Sequence, residues 1–177
     1  MCIRDRIVDD LADALLALHR PAPADAPQNP FRGVGIADRD PVVRARIRAW
    51  HGPADLLERV WDAALAAPVW PGPPLWLHGD PHPNNLVADD GGLAGVLDFG
   101  DLTAGDPASD LVAAWCCFDA ADRERFVGRM AASGRYDEHA WTRAAGWAAS
   151  FASAMVPGSA LEPVAAHIAR PLAAEYR

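Results

Sequence analysis

The chain has 177 residues, 51% of them hydrophobic, and a mean hydropathy of −0.04. This is long enough for one buried core and too apolar for a disordered chain, and no apolar run reaches the ~20 residues of a membrane helix. A net charge of −8 and a pI near 5.1 weigh against nucleic acid as a partner, while leaving open a cationic small molecule or simply a solvated acidic surface.

The opening MCIRDRIVDD places acids where a signal peptide has its apolar region. Three cysteines cannot all pair, and adjacent Cys116 and Cys117 are poorly spaced for a disulfide or a metal. A reducing cytoplasmic location is therefore expected. All 16 basic residues are arginine. Chemistry that needs a lysine, as phosphate anchor or Schiff base, cannot be completed by these residues alone.

In chain order, Ile7 to His19 reads as a helix. Ile7, Leu11, Leu15 and Leu18 repeat on one face, with Val8, Ala12 and Leu16 beside them, and Asp9, Asp10 and Asp13 lie off it. Its start so close to Met1 suggests an upstream part missing from the chain, and residues 1–6 are set aside as a candidate non-native prefix. Pro21 to Pro30 holds four prolines and reads as a loop. Gly33-Val34-Gly35 has no strand before it and no third glycine, so it is read as a turn rather than a phosphate loop. Asp40-Pro41 is expected to cap and open a helix with Val43, Ile47 and Trp50 inward and Arg44, Arg46 and Arg48 in solvent. A second helix carries Leu57, Val60, Trp61, Ala64 and Leu65. Proline-rich Ala67 to Pro74 then turns the chain.

Past residue 107 the pattern is helical: Pro107 to Phe118 capped by Asp106, a short helix around Phe126, Val127 and Met130, and a longer one opening near Asp137. The longer helix has Trp141, Ala144, Ala148, Phe151 and Met155 on one face and ends at Pro157-Gly158. A last helix begins at Pro163, and Pro171 should end or kink it. The stripe tryptophans and methionines are read as core.

The chemistry concentrates in Trp76 to Leu111, WLHGDPHPNNLVADDGGLAGVLDFGDLTAGDPASDL. Asn85 to Ala88 and Leu93 to Phe99 are candidate strands, joined by Asp89-Asp90-Gly91-Gly92, a run whose Asp and Gly tolerate positive φ in a hairpin. The hairpin would bring Asn85 and Asp98 to one rim. Asp80, an amide five residues later and Asp98 across the hairpin form a constellation suited to phosphoryl transfer. That chemistry needs a carboxylate to orient a hydroxyl and hard oxygen ligands for Mg²⁺.

On HGDPHPNN and on LDFGD followed by GDPASDL, the chain resembles the C-terminal lobe of the aminoglycoside phosphotransferase and choline kinase-like family. The helix LADALLALHR resembles the one that opens that lobe. The resemblance implies an α+β, mainly helical, protein-kinase-like large lobe over residues 7–177, with a small catalytic-loop hairpin and the N-terminal lobe absent. It implies an ATP-dependent phosphotransferase, using Mg²⁺ and ATP or another nucleoside triphosphate, that acts on a hydroxyl of a small molecule such as an aminoglycoside or related metabolite. Asp80 would be the catalytic carboxylate and Asn85 and Asp98 the metal ligands. His78, Asp110 and Asp106 would support the catalytic loop. For Asp106 a plain helix cap competes with that role.

Two residues depart from the family pattern. Pro81 stands where a leucine is usual, and Asn84 stands for a glycine. Asn84 is expected to hold a left-handed turn. Pro81 removes an N–H and biases Asp80 toward extended geometry. The nucleotide-covering loop and anchoring lysine of the smaller lobe have no counterpart, so the chain alone is expected to be inactive. Two other readings stay open. One is a non-catalytic kinase-like remnant or binding module. The other is a zinc hydrolase using His78, Asp80 and His82, which alternate along an extended segment. Asp119, Asp122 and Glu124 are candidate acceptor-site acids that a solvated helix start explains equally well.

Overall fold

The apolar face of the first helix is centred on Val8, Leu11, Ala12 and Leu15, all buried, between the expected stripe and the residues beside it, while Ile7, Leu16 and Leu18 are half-buried at its edges. This helix, α1 (Ile3–Leu18), is followed by α2 (Asp40–Ala49) and α3 (Ala54–Ala66). Next come strands β1 (Leu75–Leu77), β2 (Leu86–Asp89), β3 (Gly92–Val96) and β4 (Thr103–Gly105). Helices α4 (Ala108–Leu111), α5 (Ala113–Cys116), α6 (Ala120–Ala131), α7 (Glu138–Ala154) and α8 (Glu162–Glu175) complete the chain. The computed structural model describes residues 3–155, 158–159 and 161–177, with side chains from residue 6 onward. Met1 and Cys2 of the prefix, and Pro157 at the expected helix stop, lie outside the described residues.

α7 is the central helix: α2, α3, α4 and α8 all pack on it. Its residues 143–153 are buried all round. Such a helix belongs in the middle of a bundle. Small residues permit the close approach, since a side chain at Gly146 would run into Ala64 of α3 and Ile36. Asp137 caps α7 by accepting from Ala140 N at 2.8 Å. α1 packs on α6, and its off-stripe acids are used there. Asp9 and Asp13 each hold a forked ion pair, with Arg125 and Arg129 at 2.6–2.8 Å. Asp10 accepts from Leu93 N at 3.1 Å and ties α1 to the hairpin.

Several expected boundaries move. Asp40 is the first residue of α2 rather than its cap, and its carboxylate turns to Trp61 Nε1 (2.7 Å) and Arg44 (2.8 Å). Arg44 is thus ion-paired rather than simply solvated. The segment from Pro107 divides at Val112 into two short helices, although Val112 keeps right-handed helical angles. Pro171 sits inside α8, which runs on to Glu175.

The two small sheets are antiparallel, β1 with β4 and β2 with β3. β2 and β3 form the hairpin, shorter than the apolar pattern suggests. β4 was not legible in the sequence. Its partner is β1, and the proline-rich loop lies along both. Proline carbonyls accept where proline nitrogens cannot donate: Ala22 N bonds to Pro74 O at 2.9 Å and Ala104 N to Pro27 O at 3.2 Å. At the end of β4 the loop presses closest. Gly33 (φ +68) accepts from Asp106 N at 3.1 Å, and a Cβ on Gly105 would collide with the Gly33 backbone. Gly33-Val34-Gly35 is a turn whose work is packing.

Gly105→Ala should therefore destabilise the fold by about 1–3 kcal/mol, the usual cost of overpacking a tight contact. Thermal unfolding should register a fall in Tm of roughly 2–4 °C per kcal/mol at this chain size. An unchanged Tm would mean that the Gly33 loop moves aside freely.

Candidate functional site

β1 delivers the chain into His78-Gly79-Asp80, and the conformation of this loop is fixed from below. Asp110, fully buried, accepts from His78 N at 2.7 Å and from Gly79 N at 2.8 Å. Gly79 has φ +90, and a Cβ there would meet Asp101 O. Only glycine fits that backbone. The other Asp110 contact is His19 Nε2 at 3.1 Å, and His19 Nδ1 meets the Tyr136 hydroxyl at 2.7 Å. Burial, opposed by the Arg135 charge and aided by Asp110, pushes the Tyr136 phenol up to about 12. It stays protonated and donates to Nδ1, so His19 presents its Nε2–H to Asp110.

His78 is a fully buried member of the loop. Its Nδ1 accepts from Asp80 N at 3.2 Å, which leaves Nε2–H to donate to Leu97 O at 2.8 Å. Both ring nitrogens are thus occupied, and His78 does not converge with Asp80 and His82 on a zinc. Among the described residues no three His, Cys, Asp or Glu side chains gather to hold a metal.

The Asp80 side chain is held from both sides. Arg32 approaches Oδ1 at 3.1 Å, and His82 Nε2 approaches Oδ2 at 3.3 Å. Burial alone would raise the Asp80 pKa. The His82 hydrogen bond and the Arg32 charge outweigh it and hold the carboxyl below its ordinary value. Arg32 reaches Asp101 at 3.6 Å and lies over the Phe151 ring at 4.6 Å. Asn29 Nδ2 also binds Asp101, at 2.8 Å.

Pro81 is accommodated. His82 N bonds to Asp80 O at 3.0 Å, closing a three-residue turn whose centre suits the fixed φ of proline. The expected left-handed turn at Asn84 is absent. Asn84 lies in a short 3-10 turn, Pro83–Asn85, with its N–H on His82 Nδ1 at 3.2 Å. A right-handed turn capped by His82 needs no positive φ. Among the described non-glycine residues, Asp98 alone has one (φ 57, ψ 67).

Asp98 follows the hairpin at the solvent-exposed rim, and its carboxylate accepts from Gly100 N at 3.2 Å. Asp80, Asp98, Gly100 and Asp101 line one cavity of about 300 Å³. Asn85 is not part of that wall. It is buried behind it, its Nδ2 on Asp80 O at 2.9 Å, while Leu97 N bonds to Asn85 O at 2.8 Å across the hairpin. Its Oδ1 has no hydrogen bond among the described residues.

Asp106 does not touch the catalytic loop. It accepts from Ala108 N at 3.0 Å, as a helix cap would, and forks onto Arg143 of α7 at 2.6 and 3.3 Å. Arg143 is 1% exposed, and it also donates to Pro68 O. Asp119 caps α6 by accepting from Asp122 N at 3.2 Å and borders a different cavity, with Arg123 and His167. Arg32, Tyr136 and Arg143 stand in no motif, and Asp101 and His19 fall inside LDFGD and LADALLALHR without a role of their own being legible there. Each acts through a partner at least 37 residues away.

The family model of the phosphotransferase enzyme family matches residues 3–147. A search of curated protein sequences finds no match. Solved structures do match. The macrolide 2'-phosphotransferase MphH of Brachybacterium faecium aligns with a TM-score of 0.59 and 22% identity, covering 95% of this chain and 62% of that one. The streptomycin–ATP ternary complex of APH(2'')-IIa gives 0.56 and 17%, covering 92% and 60%. ADP-bound aminoglycoside phosphotransferase APH(2'')-Ib gives 0.53 and 19%, covering 96% and 63%. The chain thus has the fold of these proteins and spans less than two thirds of the length of each.

Two outcomes follow from the geometry. Arg32→Met leaves the burial of Asp80 less opposed, so its pKa should rise above that in the parent protein, read by NMR titration of the carboxyl carbon. The sign for stability follows from the depressed folded value. The Asp80 contribution is complete above the ordinary ~3.9 of an unfolded aspartate and is lost as pH falls through the lower folded pKa. Arg32→Met should therefore flatten the acid limb of the stability curve, and an unmoved Asp80 titration would remove Arg32 from the account. Separately, Arg143→Met strands the Asp106 carboxylate and should cost about 3–5 kcal/mol in denaturant unfolding. A loss below about 1 kcal/mol would place the pair with weak surface bridges.

Proposed function

The chain belongs to the phosphotransferase enzyme family, and from that membership we propose that it forms the acceptor-binding and metal-binding lobe of an ATP-dependent small-molecule kinase. The observation that carries this reading is the convergence of Asp80 and Asp98 on one cavity, with Asp80 ionised and fixed in place.

In this reading an acceptor hydroxyl donates a hydrogen bond to Asp80. A carboxylate has about four acceptor sites, so Arg32 and His82 leave room for it. A carboxyl with a lowered pKa is a weak base, so its work is to orient the hydroxyl rather than to strip it early. The hydroxyl oxygen forms a bond to the γ-phosphorus, the bond to the ADP oxygen breaks, and the proton leaves late toward Asp80 or water. A loose transition state needs little more from the protein than position and charge.

Asp98 and the Asn85 Oδ1 would hold Mg²⁺. They fit it chemically: both are hard oxygens, and this ion is ordinarily bound by one or two carboxylates together with nucleotide phosphates rather than by a full protein cage. When bound it would neutralise charge on those phosphates. The phosphate-anchoring cation cannot be a lysine of these 177 residues, since there is none. The lobe would be inactive by itself and would work as part of a longer kinase, a reading supported by its spanning less than two thirds of each structure it matches. The neighbours act on macrolides and aminoglycosides by name, which supports a hydroxylated small-molecule acceptor here.

A second reading, a non-catalytic kinase-like module, takes its support from the missing lysine. Calorimetry separates the two. The protein should bind ADP only in the presence of Mg²⁺, and Asp98→Asn should abolish that dependence. In any longer product of the same reading frame, Asp80→Asn should keep nucleotide binding and lower kcat by about 10²–10⁴-fold. Nucleotide affinity indifferent to EDTA and to Asp98→Asn would leave the module reading in its place.

A further inference from the structure

The side of Asp80 away from Asp98 opens into a second cavity, of about 150 Å³, whose wall includes Arg32, Arg46, Asp80, His82, Ser150 and Phe151. Under the kinase reading, on which this step rests, this is where the acceptor lies, because it adjoins the carboxylate that meets the hydroxyl. A cavity of this volume seats one small ring.

Its charge is opposite to that of the chain as a whole. The protein carries a net −8, yet this wall holds two guanidinium groups and one carboxylate. Arg32 is committed: it is paired with Asp80 and lies on Phe151. Arg46, projecting from α2, has no ion pair and no hydrogen bond among the described residues. A third arginine is near. Burial, then the charges of Arg46 and Arg32, push the Arg39 guanidinium below its ordinary value, and no carboxylate acts against them. One positive charge in the pocket is therefore left without a counter-ion. Guanidinium is suited to carboxylate and phosphate, which it can grip with two parallel hydrogen bonds.

We propose that the acceptor is a hydroxylated small molecule carrying an anionic group, carboxylate or phosphate monoester, bound by Arg46, and that polycationic aminoglycosides are disfavoured. Such an acceptor completes the charge of the pocket and leaves Asp80 free for the hydroxyl. A polyammonium ligand meets Arg46 with like charge.

Four probes on one scaffold test this by calorimetry or saturation-transfer NMR: glucose, glucosamine, glucuronate and glucose 6-phosphate. The two anions should bind at least about tenfold more tightly than glucose, and glucosamine more weakly than glucose. The tighter of the two anions identifies carboxylate or phosphate ester as the group recognised. Arg46→Gln should cost both anions about tenfold and leave glucose unchanged, while Arg46→Glu should invert the order in favour of glucosamine. The proposal is overturned by glucosamine or kanamycin binding more tightly than glucuronate. It is equally overturned if neither anion binds, or if anion affinity survives Arg46→Gln. Magnesium-dependent ADP binding, measured on the same samples, keeps the two levels apart. Its loss sinks the kinase reading, whereas its retention with a reversed sugar order sinks this inference alone.

Discussion

A buried carboxylate with three donors around it is the constraint on which the site depends. Asp110 has no exposure to solvent, and an ionised group so placed is tolerable only when its oxygens are fully hydrogen-bonded. Its donors come from distant parts of the chain: the His78 and Gly79 amides at the end of β1, and the His19 ring at the end of α1. Tyr136, before α7, fixes the His19 tautomer. Satisfying one charge therefore joins the first helix, the first strand, the α6–α7 connection and the catalytic loop. Removing any donor leaves charge uncompensated, so the loop cannot relax without cost. This is why Asp80, one residue beyond Gly79, has a defined place.

Asp106 and Asp110 stand one helical turn apart around α4 and divide the labour. Asp110 looks toward the loop, and Asp106 looks toward Arg143 in the most buried stretch of α7. A guanidinium inside a helix surrounded by helices is costly unless paired, so Asp106 and Arg143 require each other. The pair locks α4 against α7 from the side opposite the loop. It adds an ion pair to the apolar packing of Ala108 and Leu111 that already seats α4 in the core. The support is thus in series: α7 holds α4 through Asp106, and α4 holds the loop through Asp110.

What the sequence made legible is what is local. Helix periods, the Asp-Gly hairpin and the Asp137 cap depend on residues within a few positions, and the HGDPHPNN and LDFGD motifs hold their spacing in a line of text. Arg32 lies in a stretch that reads as plain loop, and its partner is 48 residues on. β4 is three residues long and makes sense only against β1. Asn84 shows a different failure. A residue tolerant of positive φ stands beside the motif, but the His82 side chain caps a right-handed turn there, and the strained angle falls on Asp98 instead. Propensity states what a residue tolerates, whereas the hydrogen bonds available to its neighbours decide what it adopts.

The same division explains why the chain's overall acidity is a poor guide to its ligand. Net charge sums over the surface, where solvent screens exposed groups beyond about 10 Å. A ligand at Asp80 meets only the walls around it, and those walls differ in sign. Asp98 and Asp101 make one side acidic, which suits a cation and, through it, nucleotide phosphates. Arg32 and Arg46 make the other side basic. Asp80 sits on the boundary, and Arg32 bridges both sides by contacting Asp80 and Asp101 together. The lowered pKa of Asp80 is a product of this placement. Burial is opposed by charges on the basic side, so the carboxylate remains ionised and ready to receive a hydroxyl hydrogen bond where the two fields meet.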